Sequence, residues 1–330
     1  MMFVSEVRME ELKSNSILYV LVGPSGSGKS TFAREYERYH RGVINWVSSD
    51  NIRKELYGDE SVQKDHAKVF DLMFKRTVEC LKRGESVIYD ATNLSSKRRR
   101  HLIKQVRAAV NFHIRIKAMV FNVSFEELIR NDTRRNRTVG EVVIRKQIAQ
   151  FQVPCYEEGF DEIELAWYPV IDPNDFMESR CYIRHDNPHH SLDVFEHMRA
   201  VGDAAFSDDR FTSITAIEAA YLHDIGKAYT KTWRNAHGEP SDVAHYYGHQ
   251  NWGAYISLNL DLWITEWGLG RTVMSDKEYD NALLERAFYI QYHMEPFFRR
   301  GEAWDKFAST ITDEHAKHIQ LIHELDMQNA

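Results

Sequence analysis

At 330 residues, with 43% hydrophobic and 28% charged residues, the chain has an ordinary globular composition and enough length for two domains, each with its own core. No apolar run approaches the ~20 residues that span a bilayer, so no membrane partner is expected, and the three isolated cysteines exclude a disulfide framework and a CxxC zinc knuckle. The net charge of −7 is unevenly placed: residues 1–170 hold 28 Lys and Arg against 23 Asp and Glu, and residues 171–330 hold 14 against 26 together with 12 of the 16 histidines. A mildly basic half suits a polyanionic partner, and an acidic, histidine-rich half suits divalent cations.

The start, Met1 to Ser16, is polar and acidic, without the basic end and apolar core of a signal peptide, and a cytoplasmic location is expected. Ile17–Val22 is a short branched apolar run that reads as a buried parallel strand. It leads into Gly23-Pro24-Ser25-Gly26-Ser27-Gly28-Lys29-Ser30, and Thr31 continues as a helix. Strand, GxxxxGK[ST], helix is the context in which backbone N–H groups cradle the phosphates of ATP or another nucleoside triphosphate. Gly23, Ser25, Gly26, Ser27, Gly28 and Thr31 form the cradle, Lys29 offsets the charge of the outer phosphates, and Ser30 offers a hydroxyl to Mg²⁺.

A second strand is read over residues 43–47, ending at Ser48-Ser49-Asp50-Asn51-Ile52-Arg53. The carboxyl ends of strands line the ligand crevice in open α/β sheets, which places Asp50 and Arg53 near the phosphates. Asp50 is open to two readings: a base that takes the proton of an attacking hydroxyl, or the N-cap of a helix over residues 52–57. Ser86–Asp90 is a third strand, and Asp90 is the candidate to organise Mg²⁺. The run Lys97-Arg98-Arg99-Arg100 is either a polyanion contact or a solvated helical turn. After a strand over 114–121 comes a helix on which Arg130 and Arg134, four apart, share one face and can form a lid over a transferring phosphoryl group, with Arg135 directed elsewhere into solvent.

The phosphate loop, the Asp50-x-x-Arg53 spacing, Asp90-Ala91-Thr92-Asn93-Leu94 and Arg130-Asn131-x-x-Arg134 together resemble the 5′-kinase module of polynucleotide kinases. The likeness extends over roughly residues 15–170, with Gly140 standing where many relatives carry proline. It implies an N-terminal α/β P-loop kinase with a parallel sheet, acting on a 5′-hydroxyl end of RNA or DNA. It further implies Asp50 as general base, Arg53 on the acceptor-side phosphate, and Arg130 and Arg134 as lid arginines.

Prolines 154, 169 and 173 punctuate the end of this region, and a boundary near 172–182 divides a first domain, 1–178, from a second, 179–330. The second reads as all-α. Asn187-Pro188-His189-His190 opens a helix carrying His197, and a helix from Ser213 ends near Gly226 with His223-Asp224. Adjacent residues on a helix point about 100° apart, so both reach metal only at a helix end or between two ions. His249, His293 and Asp326 complete the candidate ligands, and imidazole with carboxylate suits Mn²⁺, Co²⁺, Fe²⁺ or Zn²⁺ better than Ca²⁺.

His197, His223, Asp224 and Asp326 resemble the H…HD…D set of the HD phosphohydrolase superfamily over roughly residues 183–330. Gly248-His249 and Tyr292-His293 resemble its two-metal version, with Gln250 where Glu is common. The resemblance implies Asp224 as a bridging catalytic ligand and Lys227 on the substrate phosphate. His190 and His245 are reserve ligands, and His185, His189, His237, His315, His318 and His323 are read as structural or exposed. The joined halves resemble end-healing enzymes, which implies a 5′-kinase with a 3′-end phosphatase or 2′,3′-cyclic phosphodiesterase, preparing RNA ends for a ligase. Two other readings stay open: a small-molecule kinase joined to a nucleotidase, and a nucleotide-sensing domain that regulates a hydrolase.

Overall fold

Every residue of β1 (Ile17–Val22) after the first is buried, as befits a strand covered on both faces. In this computed structural model, which describes residues 16–40, 42–135, 137–167, 171–188, 191–261 and 274–329, β1 is the middle strand of a five-stranded parallel sheet. The order is β2 (Ile44–Ser48), β3 (Ser86–Asp90), β1, β4 (Arg115–Val120) and β5 (Glu162–Leu165). The order reverses on either side of β1, which opens a crevice at the carboxyl ends of the central strands. Register brings those ends level: Ser48 pairs with Asp90, and Val22 with Val120. The helix after β1, α1 (Lys29–Tyr39), lays Ala33 on a core of Tyr19, Leu21, Ile44, Ile88 and Phe121, with Phe32 edge-on to Phe121.

The helices α2 (Ser49–Tyr57), α3 (His66–Lys82), α4 (Ser96–Ala109) and α5 (Phe125–Thr133) follow in order. Two expectations change here. The N-cap of α2 is Ser48, whose hydroxyl accepts from the Asn51 N–H, so Asp50 lies inside the first turn and caps nothing. In α4, Lys97 and Arg98 are exposed, but Arg99 is on the buried stripe with Leu102, Ile103 and Val106. Arg99 donates to both oxygens of Glu158, at 2.7 and 2.6 Å, and to the carbonyls of Asn93 and Leu94; both charged side chains are fully buried. It is a structural ion pair rather than a polyanion contact or a solvated turn.

The chain divides into two compact units, Met1–Ile144 with Pro154–Trp167 and Arg145–Val153 with Tyr168–Ala330. The passage at Trp167 precedes the expected position because Ile171 bridges to Leu260 and Phe176, on α7 (Pro173–Arg180), stacks on Tyr229. The second half of α6 (Glu141–Ala149) also belongs to the second unit, where Asn251 and Gln291 donate to the carbonyls of Ala149 and Phe151.

The second unit is mainly helical: α8 (Val194–Phe206), α9 (Ile214–Leu222), α10 (Lys227–Thr230), α11 (His249–Ser257), α12 (Asp276–Tyr292), α13 (Glu295–Phe298), α14 (Glu302–Ala308) and α15 (Asp313–Gln328). It is not all-α. An antiparallel hairpin, β6 (Thr232–Arg234) with β7 (Pro240–His245), turns at Gly238, whose φ of 83° favours glycine. These strands are short and polar, which hid them from an apolar alternation pattern. Buried Arg286 on α12 binds Glu218 of α9 at 2.9 Å and the carbonyls of Ser257 and Leu260 at 2.6 Å, fastening the end of α11. Among the described residues no helix is long and apolar enough to cross a membrane.

Removing one member of a fully buried ion pair strands the other charge. Glu158→Ala is therefore expected to cost about 3–5 kcal/mol, read as a lower urea midpoint.

Candidate functional site

The phosphate loop runs from the end of β1 to the start of α1. Gly26 and Gly28 take φ of 86° and 92°, and a Cβ on Gly26 would lie 2.8 Å from the Leu128 carbonyl oxygen. Asn131 donates to the Gly26 carbonyl at 3.1 Å, pinning α5 to the loop. Lys29 is buried and its Nζ donates to the Pro24 carbonyl at 2.6 Å and to Ser27 Oγ at 3.1 Å. Burial pushes the Lys29 ammonium down to about 8; Asp90 and Asp50 oppose the change and Arg135 adds to it. Arg135 is thus within electrostatic reach of the loop, contrary to the expectation that it is directed elsewhere.

Asp90 at the end of β3 is buried, bonds the Ser30 side chain, and accepts from Trp46 Nε1 at 3.0 Å. Burial raises its pKa, against Lys29, Ser30 and Trp46. An acidic residue touching the loop serine is the arrangement that organises Mg²⁺ beside a triphosphate. Across from it, Arg53 donates to Asp50 Oδ1 at 2.9 Å. The Asp50 side chain is 41% exposed, whereas Arg53 is buried and its Nε has no partner among the described residues.

On α5, Arg130 is exposed and held by Glu127, its Nε at 2.9 Å. The helix ends at Thr133, so Arg134 is its C-cap and exposed. Buried Asp132 accepts from the N–H groups of Val139 and Gly140 at 2.9–3.1 Å, closing the turn that follows.

In the second unit the described residues include two groups of potential metal ligands, all buried: His197, His223, Asp224 and Asp326; and Asp224, His249 and His293. In the first, His197 Nε2 lies 3.2 Å from His223 Nε2, 2.9 Å from Asp326 Oδ1 and 3.6 Å from Asp224 Oδ2. In the second, His249 Nε2 lies 3.3 Å from Asp224 Oδ1 and 3.4 Å from His293 Nε2. Asp224 thus directs one oxygen to each group. Donor atoms ~3–3.5 Å apart match the spacing around a cation whose bonds are ~2.0–2.2 Å.

The histidine rings are set for this. The Nδ1 atoms of His223, His249 and His293 each pair with the carbonyl three residues back, those of Ala220, Tyr246 and Ile290, at 2.8, 2.9 and 2.7 Å. His197 Nδ1 pairs with the Asn329 carbonyl at 3.1 Å. A carbonyl holding Nδ1–H leaves Nε2 as the ligand atom. His223 is the C-cap of α9 and Asp224 lies beyond it, at a helix end. Gly226 makes that turn possible: a Cβ there would sit 2.0 Å from the His249 carbonyl oxygen.

Burial opposes ionisation of Asp224, yet Lys227 and His223 hold its carboxyl well below the usual range. Burial likewise opposes charge on His223, yet Asp224 and Asp326 push it up to about 10, so a proton occupies this cation-seeking cluster. Burial pushes His293 down to about 3, with His223 and His249 adding to it, and lowers His249.

Lys227 is buried, ion-paired with Asp224, and 3.2 Å from His185 Nε2. His185, expected to be merely structural or exposed, is buried, with Nδ1 on the Leu192 carbonyl at 2.8 Å; burial and then Lys227 push it down to about 4. It stands 38 places before His223-Asp224 with no motif of its own, so spacing gave no signal. His245 bonds Ser241 and stacks on Tyr247, outside both ligand groups. His189 and His190 lie outside the described residues.

Residues 18–154 match a family model described as an AAA domain. Over 153 residues the chain is 29% identical to the bifunctional polynucleotide phosphatase/kinase of Schizosaccharomyces pombe, covering 44% of this chain and 32% of that protein. Over 192 residues it is 23% identical to the transcription factor bHLH140 of Arabidopsis thaliana, covering 53% of this chain and 20% of that one. It is also similar to the solved structure of the Pnkp1/Rnl/Hen1 RNA repair complex, at 26% identity and TM-score 0.36, over 44% of this chain and 47% of that one. The first unit is a P-loop kinase-like α/β domain. The chain spans only about a fifth and a third of the length of these curated relatives.

Lys29 keeps its charge below about 8 and loses it above, so nucleoside triphosphate affinity is expected to fall as pH rises through that value. Equilibrium titration from pH 7 to 9 checks this, with Lys29→Met binding weakly throughout.

Proposed function

We propose that this chain is a bifunctional nucleic-acid end-healing enzyme, most suited to RNA. Its first unit would phosphorylate a 5′-hydroxyl end and its second would remove a phosphate from a 3′ end. The single observation that carries the second half is Asp224, whose two oxygens each face a separate group of buried histidine nitrogens. The first half is supported by the phosphate loop with Asp90 and by the similarity to a polynucleotide phosphatase/kinase.

In the kinase reaction the 5′-oxygen bonds to the γ-phosphorus, the bond from phosphorus to the bridging oxygen breaks, and the diphosphate leaves. The hydroxyl proton passes to Asp50, which is exposed enough to meet it and is oriented by Arg53. The unpartnered Nε of Arg53 is available to the acceptor-side phosphate. Lys29 and the loop amides hold the triphosphate, Ser30 and Asp90 hold Mg²⁺, and Arg130 and Arg134 cover the transferring group once Arg130 leaves Glu127.

In the second unit, His197, His223, Asp224 and Asp326 would hold one divalent cation, and Asp224, His249 and His293 a second. Such cations, Mn²⁺, Co²⁺, Fe²⁺ or Zn²⁺, supply Lewis acidity and an activated water for attack on phosphorus. The backbone carbonyls keep the four rings oriented, and Lys227 adds positive charge where the phosphate oxygens gather.

An oligonucleotide with a 5′-hydroxyl and a 3′-phosphate, incubated with ATP and Mn²⁺, is expected to be altered at both ends. Lys29→Ala abolishes the 5′ reaction and leaves the 3′ reaction; Asp224→Ala does the reverse; Asp50→Asn lowers the kinase turnover by about 10²–10⁴. If Lys29→Ala or Asp224→Ala silences both reactions in a folded chain, the assignment of two sites fails. Metal content is expected at two ions per wild-type chain and one for His293→Ala, with neither retained by Asp224→Ala, measured by elemental analysis after gel filtration.

A further inference from the structure

A cavity of about 260 Å³ opens between the segment after His185 and strand β7, lined by Asn187, Pro188, Val243, Ala244, His245 and Tyr246. Its walls are continuous with the histidine centre. Tyr246 lines the cavity while its ring centroid lies 5.4 Å from Lys227 Nζ, and its carbonyl holds Nδ1 of the ligand His249. Asn187 follows His185, the neighbour of Lys227, by two residues. The two walls are tied before any ligand arrives: Tyr246 Oη donates to the His185 carbonyl at 2.6 Å, and the Ala244 N–H to the Asp186 carbonyl at 2.9 Å.

The lining is of one kind. Val243, Ala244 and Pro188 are apolar, Tyr246 and His245 present rings, and Asn187 brings an amide able to pair with a heterocycle edge. Pockets for drug-sized ligands run ~300–1,000 Å³. A smaller cavity with flat apolar walls and one amide suits a single planar base.

Resting on the hydrolase reading above, we infer that this cavity receives the terminal nucleobase of the strand whose 3′-phosphate enters the histidine centre. Stacking against rings tolerates any base, so the site recognises that a base is present rather than which one. His245 then has a place in substrate binding in place of the metal-ligand role considered for it.

The test is equilibrium binding, in the presence of Mn²⁺, to dinucleotides ending in a 3′-methylphosphonate, which is not hydrolysed. Removing the terminal base is expected to weaken binding about tenfold. Val243→Arg, which fills the cavity from an exposed strand position, and Asn187→Ala are both expected to shrink that difference. Equal binding of the base-bearing and abasic ligands by the wild-type chain overturns the inference, as does a tenfold difference that survives Val243→Arg. A mononucleoside 3′-methylphosphonate that binds as tightly as the dinucleotide supports the cavity with a free nucleotide as its ligand. Base-dependent binding without Mn²⁺-dependent phosphate release from a 3′-phosphate end supports the cavity and removes the hydrolase reading.

Discussion

Charge buried in a folded chain must be met by opposite charge or by hydrogen bonds, and the organisation of both units follows from that constraint. Lys29 is enclosed by the phosphate loop and stays compatible with burial because Pro24, Ser27 and Asp90 surround it. Asp224 is enclosed by four imidazoles and Lys227. In each case the groups that make burial tolerable also define what the site attracts: an anion at the loop and cations at the histidines.

Backbone geometry brings these groups together. Three of the ligand histidines sit at helix ends, and in each the ring nitrogen turned away from the site rests on the carbonyl three residues earlier. One local device is used three times, on α9, α11 and α12. What allows these ends to converge is close packing: Gly226 against the first turn of α11, and Arg286 gathering the carbonyls at its last. The ligand cage is thus a consequence of helix termination as much as of ligand identity.

The phosphate loop was legible because its chemistry is local: a strand, a run of glycines and a helix start are contiguous in the chain. The β1 and β3 strands were legible for the same reason, being short apolar runs with abrupt ends. Arg99 was not, because a buried arginine reads like an exposed one until Glu158 is brought to it across 59 positions. The hairpin β6–β7 was missed because neither strand carries an apolar face long enough to register. Arg135 and His185 belong to the same class, since their relevance comes from Lys29 and Lys227 and not from their own neighbours in sequence.

The sequence by itself determined the residue types: a glycine-rich anion cradle with its lysine, an aspartate at the end of each of two motifs, and an excess of imidazole and carboxylate in the second half. Their spacing already limited His223 and Asp224 to a helix end. Only the tertiary structure decided which groups share a centre, that Asp224 splits its two oxygens between two histidine groups, and that Ser48 caps α2 in place of Asp50. The reason is physical: coordination and counter-charge act over 3–4 Å in space, whereas the partners that meet at Asp224 are contributed by segments from His197 to Asp326.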